Sequence, residues 1–173
     1  MTSKITIKLL FVFCILFSGC TVNYSFTGVN IDAETITISN FFNDADNGPP
    51  DLAQVFTDNL RDYYQRNTSL QFVDSNGDLL LEGSIVSYRL TPAAATAGNT
   101  RDAFPTSDQT RLTIVVSASF TNVNNDEFDF SKNFQAFQDF DSNLTVADVE
   151  EDLIKEIYDQ IILNIFNESV ANW

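Results

Sequence analysis

Histidine is absent from this chain, and cysteine occurs only at Cys14 and Cys20. Without histidine there is no imidazole acid–base work, no Ser-His or Cys-His nucleophile, and none of the commonest metal ligand. Basic residues are scarce as well. Nine Lys and Arg stand against 24 Asp and Glu, for a net charge of −15. Nucleic-acid phosphates attract clustered Lys and Arg, so this balance argues against a nucleic-acid partner. Much enzymology is excluded by absence alone.

What the chain does contain begins at its start. Lys4 and Lys8 precede or enter an unbroken apolar run, Leu9 to Phe17. Crossing a hydrocarbon core of about 30 Å takes about 20 helical residues, so this run is too short to span. Phe17-Ser18-Gly19-Cys20 closes it, with small residues directly before the cysteine, the pattern of a secretory signal. These four residues resemble a bacterial lipobox, in which the thiol receives a diacylglyceryl group and becomes the new N-terminus. Phe17 stands where that motif more often has Leu. An ordinary signal peptide with an incidental cysteine is the alternative.

The expected organisation is a lipoprotein signal peptide over 1–19, a lipidated tether over 20–34 with lipid attached at Cys20, and one domain over 35–173. Loss of 1–19 removes two of the nine basic residues and none of the acids, leaving 154 residues with a charge of −17. Such a chain does not adsorb to anionic lipid, so the acyl chains must hold it, and two or more do so stably. Cys14 leaves with the signal and Cys20 is spent on lipid, so neither a disulfide nor a thiol centre is expected. The covalent lipid is the only non-protein group expected.

Along the domain, Thr35–Phe42 alternates Ile36 and Ile38 with small polar residues, the pattern of a half-buried strand. Residues 43–50 (NDADNGPP) form a turn. Leu52, Val55, Phe56, Leu60, Tyr63 and Tyr64 recur at helical spacing over 51–66. Leu70–Val73 is short and strand-like, and Asn76-Gly77 after it is a hairpin signal. Leu79–Leu90 is a long strand in which Gly83 marks a bulge. Residues 91–110 form a long polar loop. Leu112, Ile114, Val116, Ala118 and Phe120 alternate with polar neighbours and make the clearest strand. Asn122–Asp126 turns it back, and Phe128, Phe130 and Phe134 mark another strand, with Lys132 on the same parity near an edge or end. An apolar stripe from Val146 to Phe166 makes a helix over 145–168, with Thr145 and Asp148 placed as a capping box and Leu144 and Val149 as a staple. The expected fold is α+β: a two-layer sandwich in β-α-β-β-β-α order, with a mixed sheet of roughly four strands and two helices on one face.

Candidate chemistry is thin. Asp74, Asn76, Asp78 and Glu82 suggest a calcium loop, but Gly77 is the fourth residue of the run where an EF-hand needs glycine at the sixth. Asp44 with Asp46, and Asp148, Glu150, Glu151 and Asp152, are carboxylate groupings of the kind a hydrolase uses. The first pair lies in a turn. The second group opens a helix, where acids suit the macrodipole. Arg89 and Arg111 sit at the ends of neighbouring strands on either side of the long loop and converge if those strands pair.

Several strings, in order, resemble the LptE family of lipopolysaccharide-assembly lipoproteins: Tyr24-Ser25-Phe26-Thr27-Gly28, Asp78-Leu79 with Glu82-Gly83, Tyr88–Pro92 (YRLTP), Arg111–Ile114 (RLTI), Val149–Ile157 and Asn172-Trp173. The resemblance implies a non-enzymatic outer-membrane lipoprotein, lipid-anchored and facing the periplasm, that occupies the lumen of the LptD β-barrel. It also implies support of that barrel's assembly and binding of lipopolysaccharide on its way to the surface. Arg89, Arg111 and Lys132 are the candidate lipopolysaccharide or partner contacts. The alternatives are a ligand-binding or scaffolding lipoprotein of another envelope complex, and a carboxylate hydrolase.

Overall fold

β5 (Gln109–Asn122) is the centre of the molecule: Leu112, Ile114, Val116, Ala118 and Phe120 are buried, while the residues between them face the other way. Around it, in this computed structural model, lie β1 (Thr35–Ile38), β2 (Phe42–Asn43), α1 (Leu52–Asn67), β3 (Gln71–Phe72), β4 (Leu79–Pro92), a 3-10 turn (Asp126–Phe128), β6 (Phe130–Asp141) and α2 (Val146–Ser169). The structure describes residues 33–93 and 109–171. The signal peptide, Cys20 and most of the tether and of the 91–110 loop fall outside them.

The sheet runs β3-β1-β4-β5-β6, with β2 also paired to β4. The strands β1 and β2 run parallel to β4, and β3 parallel to β1, whereas β4, β5 and β6 are antiparallel. The α+β two-layer reading therefore holds: four principal strands carry two helices on one face, and β2 and β3 add two residues each. The single strand expected over Thr35–Phe42 breaks at Ser39 into β1 and β2, so that Phe41 can turn inward onto the Phe56 ring, 5.1 Å away. The backbone N–H of Phe41 donates to the buried Thr57 hydroxyl (3.0 Å), which itself donates to the Ala53 carbonyl (2.8 Å).

The helices close the core and lock to each other. Tyr158 donates its phenol proton to the Leu52 carbonyl (2.9 Å), and the Tyr64 hydroxyl is hydrogen-bonded to Ser169. Burial drives both phenols well above the ordinary tyrosine range.

Asn76-Gly77 is not a hairpin. The strands before and after it lie on opposite sides of β1 and run parallel, so residues 73–78 cross over β1. Asn76 takes the left-handed conformation (φ 55°), and Gly77 is required for closeness. A Cβ there would sit 2.7 Å from the Thr37 nitrogen and 2.9 Å from the Ile36 carbonyl carbon. Nor does Gly83 mark a bulge. The register slips between Ile85 and Ser87 instead, and Gly83 leaves room for the Phe41 ring. Phe128 lies in the 3-10 turn rather than in β6. The capping box fails too. Thr145 donates its hydroxyl to the Asp148 carboxylate (2.5 Å) and caps no backbone N–H, and the staple residue Leu144 is 48% exposed.

The crossover is tied down by Asp78. One carboxylate oxygen accepts from the Glu34 N–H (2.9 Å), the Thr35 N–H (3.0 Å) and the Thr35 hydroxyl (2.9 Å). The Glu34 amide foremost, then Thr35, holds the carboxyl below the usual range. Folding thus lowers this pKa. Its contribution is complete above the ordinary carboxylate value and disappears as pH falls through the folded one. In Asp78→Asn, the difference in urea midpoint between about pH 7 and about pH 3 is expected to shrink. An unchanged difference would show that the three donors contribute nothing.

Candidate functional site

Two surfaces come into question: the open face of the sheet and the groove between the helices. Period-two alternation builds the first. With the apolar positions of β4, β5 and β6 directed at the helices, the residues between them form the opposite face. Opposed pairs there are Glu82 with Ser119, Ser84 with Ser117, Ser87 with Val115, and Arg89 with Thr113. Ser117 then faces Asn133, Val115 faces Gln135, and Thr113 faces Phe137. The centre is low and made of short side chains. Phe42, 70% exposed, and Phe137, 47% exposed, flank it.

Arg89 and Arg111 both belong to this face. Arg111 opposes Thr91 on β4, one face-position from Arg89, so the convergence read from the strand ends is real. Arg111 is also held: its Nε and Nη2 donate to the two Asp139 oxygens at 2.7 and 2.8 Å, and its guanidinium carbon lies 3.7 Å above the Phe137 ring centre. The bidentate pair raises the arginine and lowers the carboxyl. Arg89 is exposed and forms no ion pair among the described residues. Lys132 lies elsewhere. It sits on the helix-facing side of β6, paired at 2.6 Å with Glu168 of α2 and near the Phe130 and Phe134 rings. The structure therefore brings two of the three candidate cations together and separates the third.

Asp139 and Phe137 were missed from the sequence, although a signal for them existed. The antiparallel register places residues whose numbers sum to 250 opposite each other, from Phe120 with Phe130 to Gln109 with Asp141. Counting outward from the turn at 122–129 pairs Arg111 with Asp139.

The second surface is a groove of about 640 Å³ between α1 and α2, floored by Leu52, Val55, Tyr63, Ile154 and Ile162. Four acids (Asp51, Glu150, Glu151, Asp159) and two bases (Arg66, Lys155) also line it. The carboxylates at the start of α2 form no pair suited to hydrolysis: Asp148, Glu151 and Asp152 are exposed, and Glu150 accepts the Tyr88 phenol proton at 2.5 Å. Burial, followed by this carboxylate, moves the Tyr88 phenol upward. Asp44 and Asp46 are likewise exposed in their turn. Among the described residues no three His, Cys, Asp or Glu gather as a metal site, and no helix is long and apolar enough to cross a membrane.

The chain is similar to several solved structures. The hypothetical protein CT253 from Chlamydia trachomatis superposes with a TM-score of 0.51 at 6% identity, over 79% of this chain and 97% of that one. Lipoprotein B from Nitrosomonas europaea gives 0.47 at 15% identity over 77% and 79%. The rare lipoprotein B from Shewanella oneidensis gives 0.42 at 11% over 76% and 89%. No curated protein matches the chain. Residues 33–169, nearly all of the two-layer domain, match the family model described as LptE, lipopolysaccharide-assembly, and the chain belongs to that family of non-enzymatic envelope lipoproteins.

Proposed function

We propose that this protein is the outer-membrane lipoprotein subunit of a lipopolysaccharide transport translocon. Lipid on Cys20 holds it at the periplasmic side of the outer membrane, and its domain occupies and supports an LptD-type β-barrel during insertion of lipopolysaccharide. The family match over 33–169 carries this reading. The domain's shape is compatible with it. A barrel of 16 or more strands leaves an aqueous lumen, and this domain buries most of its apolar residues within itself while the centre of its open face carries mainly short polar side chains between Phe42 and Phe137. The 14-residue strands β4 and β5 extend about 45 Å, longer than the hydrocarbon thickness of about 30 Å. Arg89 and Arg111 are the contacts assigned on the open face for anionic groups of lipopolysaccharide or partner. Lys132 serves a separate contact at the edge.

Affinity capture from detergent-solubilised outer membranes is expected to bring a large β-barrel with the chain. Recovery alone, with lipopolysaccharide still reaching the surface of a deletion strain, would sink the proposal. Cys20→Ala is expected to leave the membrane fraction almost completely in cells lacking the barrel. It should be partly retained where the barrel is present, since the tether acts by raising local concentration. Fractionation followed by immunoblotting reads both.

A further inference from the structure

The two edges of the sheet are finished differently. At one, β3 is only two residues long, and beyond it Arg61 donates from Nε and Nη2 to the Ile38 carbonyl (3.2 and 2.6 Å), so little main chain is left open. At the other, β6 runs for 12 residues in unbroken register with β5, without proline or bulge. Among the described residues no strand pairs with its outer side. An open edge of that length attracts foreign strands, and proteins ordinarily guard such edges with lysines, inward-pointing charges, prolines or bulges; of these β6 carries only Lys132, near its start. The charges of β6 are moreover satisfied within its own chain: Lys132 by Glu168, Asp139 by Arg111, and Asp141 by the Asn143 amide at 2.9 Å.

We infer that the outer edge of β6 is a strand-addition site that takes an extended segment of the barrel partner's polypeptide by main-chain hydrogen bonding. This rests on the barrel reading above. The occupant is another polypeptide rather than a second copy, because two strongly acidic chains repel when edge meets edge. For the same reason the segment is neutral or cationic. Its apolar side continues the row of Phe134, Ala136 and Phe140, and its polar side the row of Asn133 and Gln135.

Hydrogen exchange on the purified complex and on the free lipoprotein tests this, with prolines at Gln135 and Ala136 as the accompanying variants. Strand addition slows exchange across 130–141 in the complex by tenfold or more, because it occupies the outward amides. Contact through side chains alone leaves those rates unchanged. N–H groups alternate between β5 and the free edge, so one proline of the pair removes a ladder bond and lowers Tm. The other keeps Tm and is expected to lose at least tenfold in barrel recovery. If the barrel co-purifies while 130–141 exchanges as in the free chain, strand addition is wrong and the barrel reading stands. If no barrel co-purifies but the edge becomes protected in a complex with a different polypeptide, the barrel reading fails and the edge site stands. Protection arising only in a dimer of this chain overturns the inference.

Discussion

Phe56→Ala is expected to cost about 3–5 kcal/mol, the range for removing a buried phenylalanine side chain. The ring is fully buried, with Phe41 at 5.1 Å tilted against one side and Tyr158 at 5.0 Å edge-on against another. Each contact of this geometry adds about 0.5–1.5 kcal/mol beyond the area it buries. The three rings come from the β1–β2 connection, α1 and α2, so their cavity cannot close by a shift of one element. Domains of this size are stable by only about 5–15 kcal/mol, which makes this one side chain a large fraction of the whole. Chemical denaturation should show a lower midpoint at an unchanged slope. Phe42→Ala, one residue from Phe41 but 70% exposed, is the control and should stay within about 0.5 kcal/mol. Similar losses in both variants would refute the ring cluster as the keystone of the core.

Gly83→Val is expected to be as severe for the opposite reason. A Cβ at position 83 would stand 2.1 Å from the Ser117 carbonyl oxygen and 2.6 Å from Phe41 Cε1. Overpacking ordinarily costs about 1–3 kcal/mol. Here one obstruction is backbone inside the longest ladder of the sheet, so a loss of about 3 kcal/mol or more follows, a fall in Tm of roughly 10 °C. The two obstructions can be separated. Adding Phe41→Leu to Gly83→Ala should recover part of the loss, because the ring yields and the Ser117 carbonyl does not. Full recovery would show that the ring alone excludes a side chain at this position.

Periodic features of the chain were legible before folding, and features made by one segment crossing another were not. The stripe from Val146 to Phe166 and the alternation from Leu112 to Phe120 are properties of a single element, and both elements fall within a residue or a few of where they were read. Gly77 and Gly83 are glycines for a reason that resides in other strands: Thr37 beneath one, Ser117 and Phe41 against the other. Local rules could only offer a hairpin and a bulge, and both were wrong. The same distinction runs through the candidate site. Arg89 and Arg111 flank one loop in sequence, so their convergence was readable. Asp139 reaches Arg111 only through the register of β5 with β6. The cap at Thr145 failed on a still shorter scale: its hydroxyl donates to the Asp148 carboxylate, and the Asp148 N–H it would have capped goes to the Thr145 carbonyl instead.

The hydrogen bonds that fasten the helices, Tyr158 to Leu52 and Tyr64 to Ser169, join positions 106 and 105 residues apart. Translation delivers the chain from its N-terminus, and α2 with its core side chains, Leu153, Ile154, Ile157, Tyr158, Ile161, Ile162 and Ile165, comes after every strand. Until then the sheet's apolar face lacks that cover, and closure of such distant contacts is slow. A ribosome-bound chain from which Tyr158 and Ser169 have not yet emerged can make neither fastening. Release of α2 from the ribosome is thus the event that lets the first helix be bolted down and the sheet be covered.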